Sequence, residues 1–243
     1  MAGKGKAEAR AAERAERLEV LKKQAKAQER RRNLMVGGVV AVVLIIVGGV
    51  FFLVSQNKNV DTDDKTTEAG QSDYGLALGS KDAPDKLVIY EDFLCPICGE
   101  YEATTSDKIA ELVAADKLYV DYRPFTLLDR FGPYSADAAS AFGVVLDTSG
   151  PEVAKKFHDL LYDDQPAEDA TDFPGADWLL QKAVEAGATE ADVKAGIEAG
   201  ENDFAKNATK EAFAAGVQGT PTVILNGELF NGGPDALLEE LEK

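Results

Sequence analysis

Apolar positions along the chain fall into three regimes. From Leu34 to Val54 a run of 21 residues carries no charge. As an α-helix at about 1.5 Å per residue it covers about 30 Å, the thickness of a bilayer's hydrocarbon core. Residues 55–73 hold only Val60 and Ala69 as apolar-type positions among many small polar ones. Such a stretch buries too little apolar surface to fold and reads as a flexible tether spanning roughly 25 Å. From Tyr74 onward the pattern becomes that of one compact domain of ordinary size.

Within that domain the runs predict specific elements. Gly75–Leu78 is a short strand, followed by a turn at Lys81-Asp82-Ala83-Pro84. Leu87-Val88-Ile89-Tyr90 is apolar on both faces and predicts a buried strand. Residues 96–115 have helical character, and Leu118–Tyr122 alternates as a strand that Pro124 limits. A mostly helical region runs from about Tyr134 to Gly216, punctuated at Gly150-Pro151, Phe173-Pro174-Gly175 and Gly187. Pro221–Leu225 is a strand, Asn226-Gly227 a two-residue hairpin turn, Glu228–Phe230 the returning strand, and Pro234–Leu241 a closing helix. This order predicts an α/β domain over residues 74–243, with a mixed sheet and a helical insertion at about 126–216.

Charge sets the expected orientation. Residues 1–33 carry 11 Lys/Arg against 5 Asp/Glu, and Arg30, Arg31 and Arg32 abut the apolar run. The rest of the chain is strongly acidic, with a net charge of −23 against −17 for the whole. The excess of positive charge holds the N-terminus in the cytoplasm and sends residues 55–243 outward. The run exceeds the usual 7–15-residue signal-peptide core and has no small-x-small cleavage pattern after it, so an uncleaved signal anchor is expected. Residues 1–33 then form a cytoplasmic charged helix, supported by Glu13/Arg17 and Glu19/Lys23 at the favourable spacing. The acidic outer domain excludes a nucleic-acid surface.

The chain's only two cysteines lie in Cys95-Pro96-Ile97-Cys98, directly after the buried strand. A disulfide that closes so short a loop removes little unfolded-chain entropy, so it is a poor structural staple. At a helix start the same spacing makes a reversible dithiol. The bland readings are a zinc half-site or two incidental cysteines. Zinc needs about four ligands and the chain has one His, so no metal is expected here.

Phe93-Leu94-Cys95-Pro96-Ile97-Cys98 after a buried strand resembles the active site of the thioredoxin superfamily, and of DsbA-like thiol–disulfide oxidoreductases in particular. Gly219-Thr220-Pro221-Thr222, about 125 residues downstream, resembles the family's cis-proline loop; read alone, Pro221 is an ordinary proline opening a strand. The resemblance covers residues 75–243. It implies a thioredoxin fold with a helical insertion and no cofactor. Cys95 is the implied nucleophile and Cys98 the resolving thiol, with Thr220 and Pro221 lining the substrate contact. Pro96 and Ile97 tune the redox pair; Pro96 also suits the first helical position.

Two departures stand out. Many DsbA-like sites have His where this chain has Ile97. The family's buried acid six residues before the first cysteine is here Ile89, so Asp92 is the nearest matching candidate for proton transfer to Cys98. Glu91 beside it is a second candidate for that proton transfer, and both acids read equally as solvated strand-end charges. His158, on an amphipathic stretch, reads as a surface or core-edge residue, and Phe157, Tyr162, Phe173 and Trp178 as packing of the insertion. The expected function is a single-pass, membrane-anchored oxidase that introduces disulfides into exported or unfolded proteins. A DsbB-like or VKOR-like membrane protein would reoxidise it. The alternatives are a reductase or isomerase on the same fold, or a non-catalytic tethered binding module.

Overall fold

The computed structural model describes residues 70–72 and 74–243; the charged segment 1–33, the apolar run 34–54 and residues 55–69 of the expected tether lie outside the described residues. Among the described residues no helix is long and apolar enough to cross a membrane.

The sheet is built from strands β1 (Gly70–Ser72), β2 (Gly75–Leu78), β3 (Asp85–Glu91), β4 (Leu118–Pro124), β5 (Thr222–Leu225) and β6 (Glu228–Phe230), in the order β1-β2-β4-β3-β5-β6. Only β3 and β4 run parallel; β2 on β4, β5 on β3 and the two edge pairs are antiparallel. The parallel pair is bridged by helix α1 (Pro96–Ala114), the crossover that parallel neighbours require. Three residues read as tether, Gly70–Ser72, instead pair with β2. That pairing occupies backbone groups that an exposed edge at β2 would leave open.

Alternation along β3 places each side chain. Leu87 and Ile89 enter the large core with Tyr101, Ile109 and Leu112 of α1 and with Leu237 of helix α7 (Pro234–Leu241). Tyr90 and Val88 face the other way, onto Phe125, Ile224 and Ala212. A central strand buried on both faces explains the unbroken apolar run, and burying Ile89 alone stabilises by roughly 1.5–3 kcal/mol relative to leaving it exposed.

The insertion carries five α-helices: α2 (Tyr134–Ser149), α3 (Pro151–Asp163), α4 (Ala176–Ala186), α5 (Glu190–Glu198) and α6 (Asp203–Ala214). The first four pack on one another as a bundle whose apolar side joins the large core, whereas α6 supplies Ala212 to the opposite face of the sheet. Gly150, at φ +81, turns the chain between α2 and α3. The β5–β6 turn has Asn226 at φ 53 and Gly227 at φ 82, the left-handed pair that an Asn-Gly hairpin supplies. The fold is therefore a thioredoxin-type mixed sheet with a helical insertion.

Candidate active site

β3 ends at Glu91, and the chain then turns through Asp92, Phe93 and Leu94 before α1 begins. The turn closes on a hydrogen bond from Cys95 N–H to Asp92 C=O (2.9 Å), and the first bond of α1 runs from Gly99 N–H to Cys95 C=O (3.1 Å). Cys95 is the N-cap residue and Pro96 occupies the first helical position, where its missing N–H costs nothing. Both cysteines are reduced and buried, while Ile97 between them is 57 % exposed.

The proline loop closes the site from the other side. The Thr220–Pro221 peptide is cis. Cys95 Sγ–H donates to Thr220 C=O at 3.5 Å, and Cys98 Sγ lies 2.9 Å from Thr220 Oγ1. The structure thus gathers Cys95, Cys98, Thr220 and Pro221 into one cluster from the two ends of the domain.

The two thiols are unequal. A hydrogen bond from Cys98 lowers the pKa of Cys95 from 9.0 to about 7 against the opposing effect of burial, and the backbone N–H groups of Cys98 and Ile97 at the helix start add to it. Burial pushes Cys98 well above 9.0, and the Cys95 and Glu91 charges push it further; the Thr220 hydroxyl works against this. At pH 7 about half of Cys95 is thiolate, against roughly 1 % for an unperturbed thiol of pKa 9. A nucleophile and a protonated partner beside it are what thiol–disulfide exchange uses.

Asp92 is fully buried and does not approach Cys98 as a free acid. One carboxylate oxygen accepts from Leu94 N–H (2.9 Å); the other accepts from Leu127 N–H (2.8 Å), Leu128 N–H (2.9 Å) and Ser135 Oγ–H (2.7 Å). With four donors on two oxygens, Asp92 pins the Cys95 turn to the segment after β4 and to the start of α2. That is a positioning role.

Several residues at the site escaped the sequence. Gln165, just beyond α3, donates from Nε2 to Phe93 C=O (2.9 Å) and Cys95 C=O (3.0 Å), so one amide braces both sides of the nucleophile. Its approach depends on Gly99, where a Cβ would lie 2.6 Å from Gln165 Oε1. No local pattern announces a glutamine 70 residues from Cys95. His158 is fully buried rather than at the surface: its Nε2 is 2.7 Å from Glu91 Oε1 and its Nδ1 3.1 Å from Asp159 Oδ1. Burial lowers the His158 pKa, but Glu91 and Asp159 outweigh it and hold the ring at about 10. Glu102, one turn after Cys98 on α1, is buried beside this pair and raised to about 7 by desolvation. A signal existed, since Ala154, Phe157, His158, Leu161 and Tyr162 form the buried stripe of α3. Of the insertion aromatics, Phe157 and Tyr162 are buried, and Phe173 and Trp178 pack against the core at its edge.

Comparison with known proteins agrees with this geometry. A family model described as "Thioredoxin" matches residues 71–243. The probable disulfide bond formation protein D of Bacillus cereus is 24 % identical over 192 residues, covering 75 % of this chain and 84 % of that one. Reduced DsbA from Mycobacterium tuberculosis is 31 % identical with a TM-score of 0.61, over 70 % of this chain and 91 % of that one. The reduced disulfide bond oxidoreductase DsbG of the same organism is 32 % identical with a TM-score of 0.62, over 72 % and 88 %. With two cysteines of unequal acidity facing a cis-proline loop, the chain belongs to the thioredoxin superfamily, among its DsbA-like thiol–disulfide oxidoreductases.

Proposed function

We propose that the chain is a membrane-anchored oxidase that transfers its Cys95–Cys98 disulfide to cysteine pairs of exported proteins outside the cytoplasm. The observation that carries the exchange chemistry is the split between Cys95, at about 7, and Cys98, held well above 9.0. In the oxidising direction a substrate thiolate attacks Cys95 Sγ of the disulfide, and Cys98 leaves as a thiolate and takes up a proton. The substrate's second thiolate then attacks its own sulfur in the mixed disulfide, and Cys95 leaves as the stabilised thiolate. The substrate loses two electrons and gains a disulfide, and the pair Cys95/Cys98 ends reduced.

Direction is supported by the Bacillus relative, whose name speaks of disulfide bond formation, and by the sequence-based topology, since disulfides persist in oxidising compartments. The thiol's acidity does not supply it: about 7 equals thioredoxin's value and lies well above the roughly 3.5 of DsbA. The exposed Ile97 side chain adds no donor to those that the Cys98 thiol and the backbone supply. The reductase reading is favoured by this one feature. Regeneration of the disulfide needs a membrane reoxidant, a DsbB-like or VKOR-like quinone-linked protein, and the apolar run 34–54 would hold the domain beside it in the bilayer.

A membrane-impermeant maleimide applied to intact cells tests the topology and the redox state together. The reading expects Cys95 to be labelled from outside only after mild reduction. Labelling confined to lysed cells, or complete labelling without reductant, contradicts it.

A further inference from the structure

We propose that Glu91, Glu102 and His158 form a binding site for one divalent cation of the zinc type, beneath the redox pair and separate from it. A ligand atom from each residue lies within 4.8 Å of the other two. Two carboxylates and one imidazole are a donor set that borderline cations such as zinc accept, and their summed charge balances a dication.

The unsatisfied oxygens point to a ligand independently. Glu102 is 4 % exposed, yet neither of its carboxylate oxygens has a protein hydrogen-bond partner; Glu91, at 1 %, leaves Oε2 unpartnered. A buried carboxylate without partners is costly. A cation held between Glu102, Glu91 and His158 Nε2 satisfies all three residues at once.

The surroundings match those of a metal site. His158 Nδ1 is 3.1 Å from Asp159 Oδ1, so Nδ1–H donates to a carboxylate and fixes the ring, and the Nε2 proton now shared with Glu91 is the one a bound cation displaces. His158 Nε2 and Glu91 Oε1 are 2.7 Å apart as a direct hydrogen bond; tetrahedral zinc needs about 3.3 Å between ligand atoms, a widening of about half an ångström. A surface pocket lined by Gly99, Glu102, Ser106, Asp159 and Tyr162 reaches Glu102 and the Asp159 that holds the His158 ring. Lys155, the nearby cation, is drawn to Asp159 and lies over the Tyr122 ring.

His158 is the only histidine in the chain, so its two ring nitrogens report on this site alone. The test uses the untagged full-length chain in detergent, oxidised so that Cys95 and Cys98 cannot take metal as thiolates. ¹⁵N-histidine spectra are recorded as zinc is added. The expected result is a stoichiometric shift of the Nε2 resonance, with cobalt giving an absorption spectrum of nitrogen and oxygen ligation. Glu102→Gln is expected to weaken binding at least tenfold. Unmoved imidazole resonances, as when zinc rests only on surface carboxylates, overturn the proposal; so does unchanged affinity in a folded Glu102→Gln chain. If that variant does not fold, the wild-type spectrum decides alone.

Discussion

Cys98 Sγ and Thr220 Oγ1 lie 2.9 Å apart although 122 residues separate them in the chain. The contact ties Cys98 to the loop that also presents Thr220 C=O to Cys95. It gives Cys98 its one favourable side-chain partner against burial. Thr220→Val keeps the shape and removes the hydroxyl. A lost hydrogen bond of about 1 kcal/mol corresponds to roughly fivefold in rate. The variant is expected to exchange disulfides about five- to tenfold more slowly at the step in which Cys98 departs or returns. Acid-quenched mixed disulfides measured by mass spectrometry will show whether it does.

Cys95 should alkylate with a pH midpoint near 7, because the thiolate is the reacting species. Below that pH the rate falls tenfold per unit; above it the rate is flat. Cys98→Ala removes the largest favourable contribution, so its midpoint is expected to move up toward the ordinary thiol range. Iodoacetamide rates between pH 5 and 10 give both numbers, and an unchanged midpoint in the variant would assign the shift to the helix start instead.

Asp92 should behave as a structural anchor. Asp92→Ala leaves the buried donors of Leu94, Leu127, Leu128 and Ser135 without their acceptor. A loss of about 3–4 kcal/mol in urea unfolding is expected, since each stranded donor costs about 1 kcal/mol or more. Asp92→Asn retains an acceptor for three of the four donors and should lose less.

Much of this arrangement was legible in the sequence, and the exceptions share one cause. The apolar run Leu87–Tyr90, the Asn226-Gly227 turn and the Cys95–Cys98 spacing are local signals, and the structure places each where its pattern predicts. The residues that escaped act across long separations: Gln165 reaches Cys95, and His158 reaches Glu91 67 residues away. Their partners lie on other elements, so nothing near them in the chain marks the pairing. Gly70–Ser72 failed for the opposite reason, since a polar segment gains its strand from the neighbouring edge of β2 rather than from its own side chains.

Buried Glu102 predicts a specific pH dependence. Its carboxyl is raised from 4.5 to about 7 in the folded chain, so the unfolded state releases its proton first. Wild-type stability therefore falls as pH rises from about 4.5 to about 7, and Glu102→Gln lacks that slope. With a chelator present, the two proteins should be nearly equal at pH 4. At pH 8 the variant should be more stable by about 1–3 kcal/mol. Denaturation midpoints at the two pH values test this; a variant less stable at pH 8 would contradict it.

The most direct test of the account is the reduction potential of the Cys95–Cys98 pair, measured by equilibration of the full-length chain with glutathione. An oxidase predicts a value at or above about −180 mV, toward the roughly −120 mV of DsbA. A value near thioredoxin's, about −270 mV, would make the chain a reductase and contradict the account.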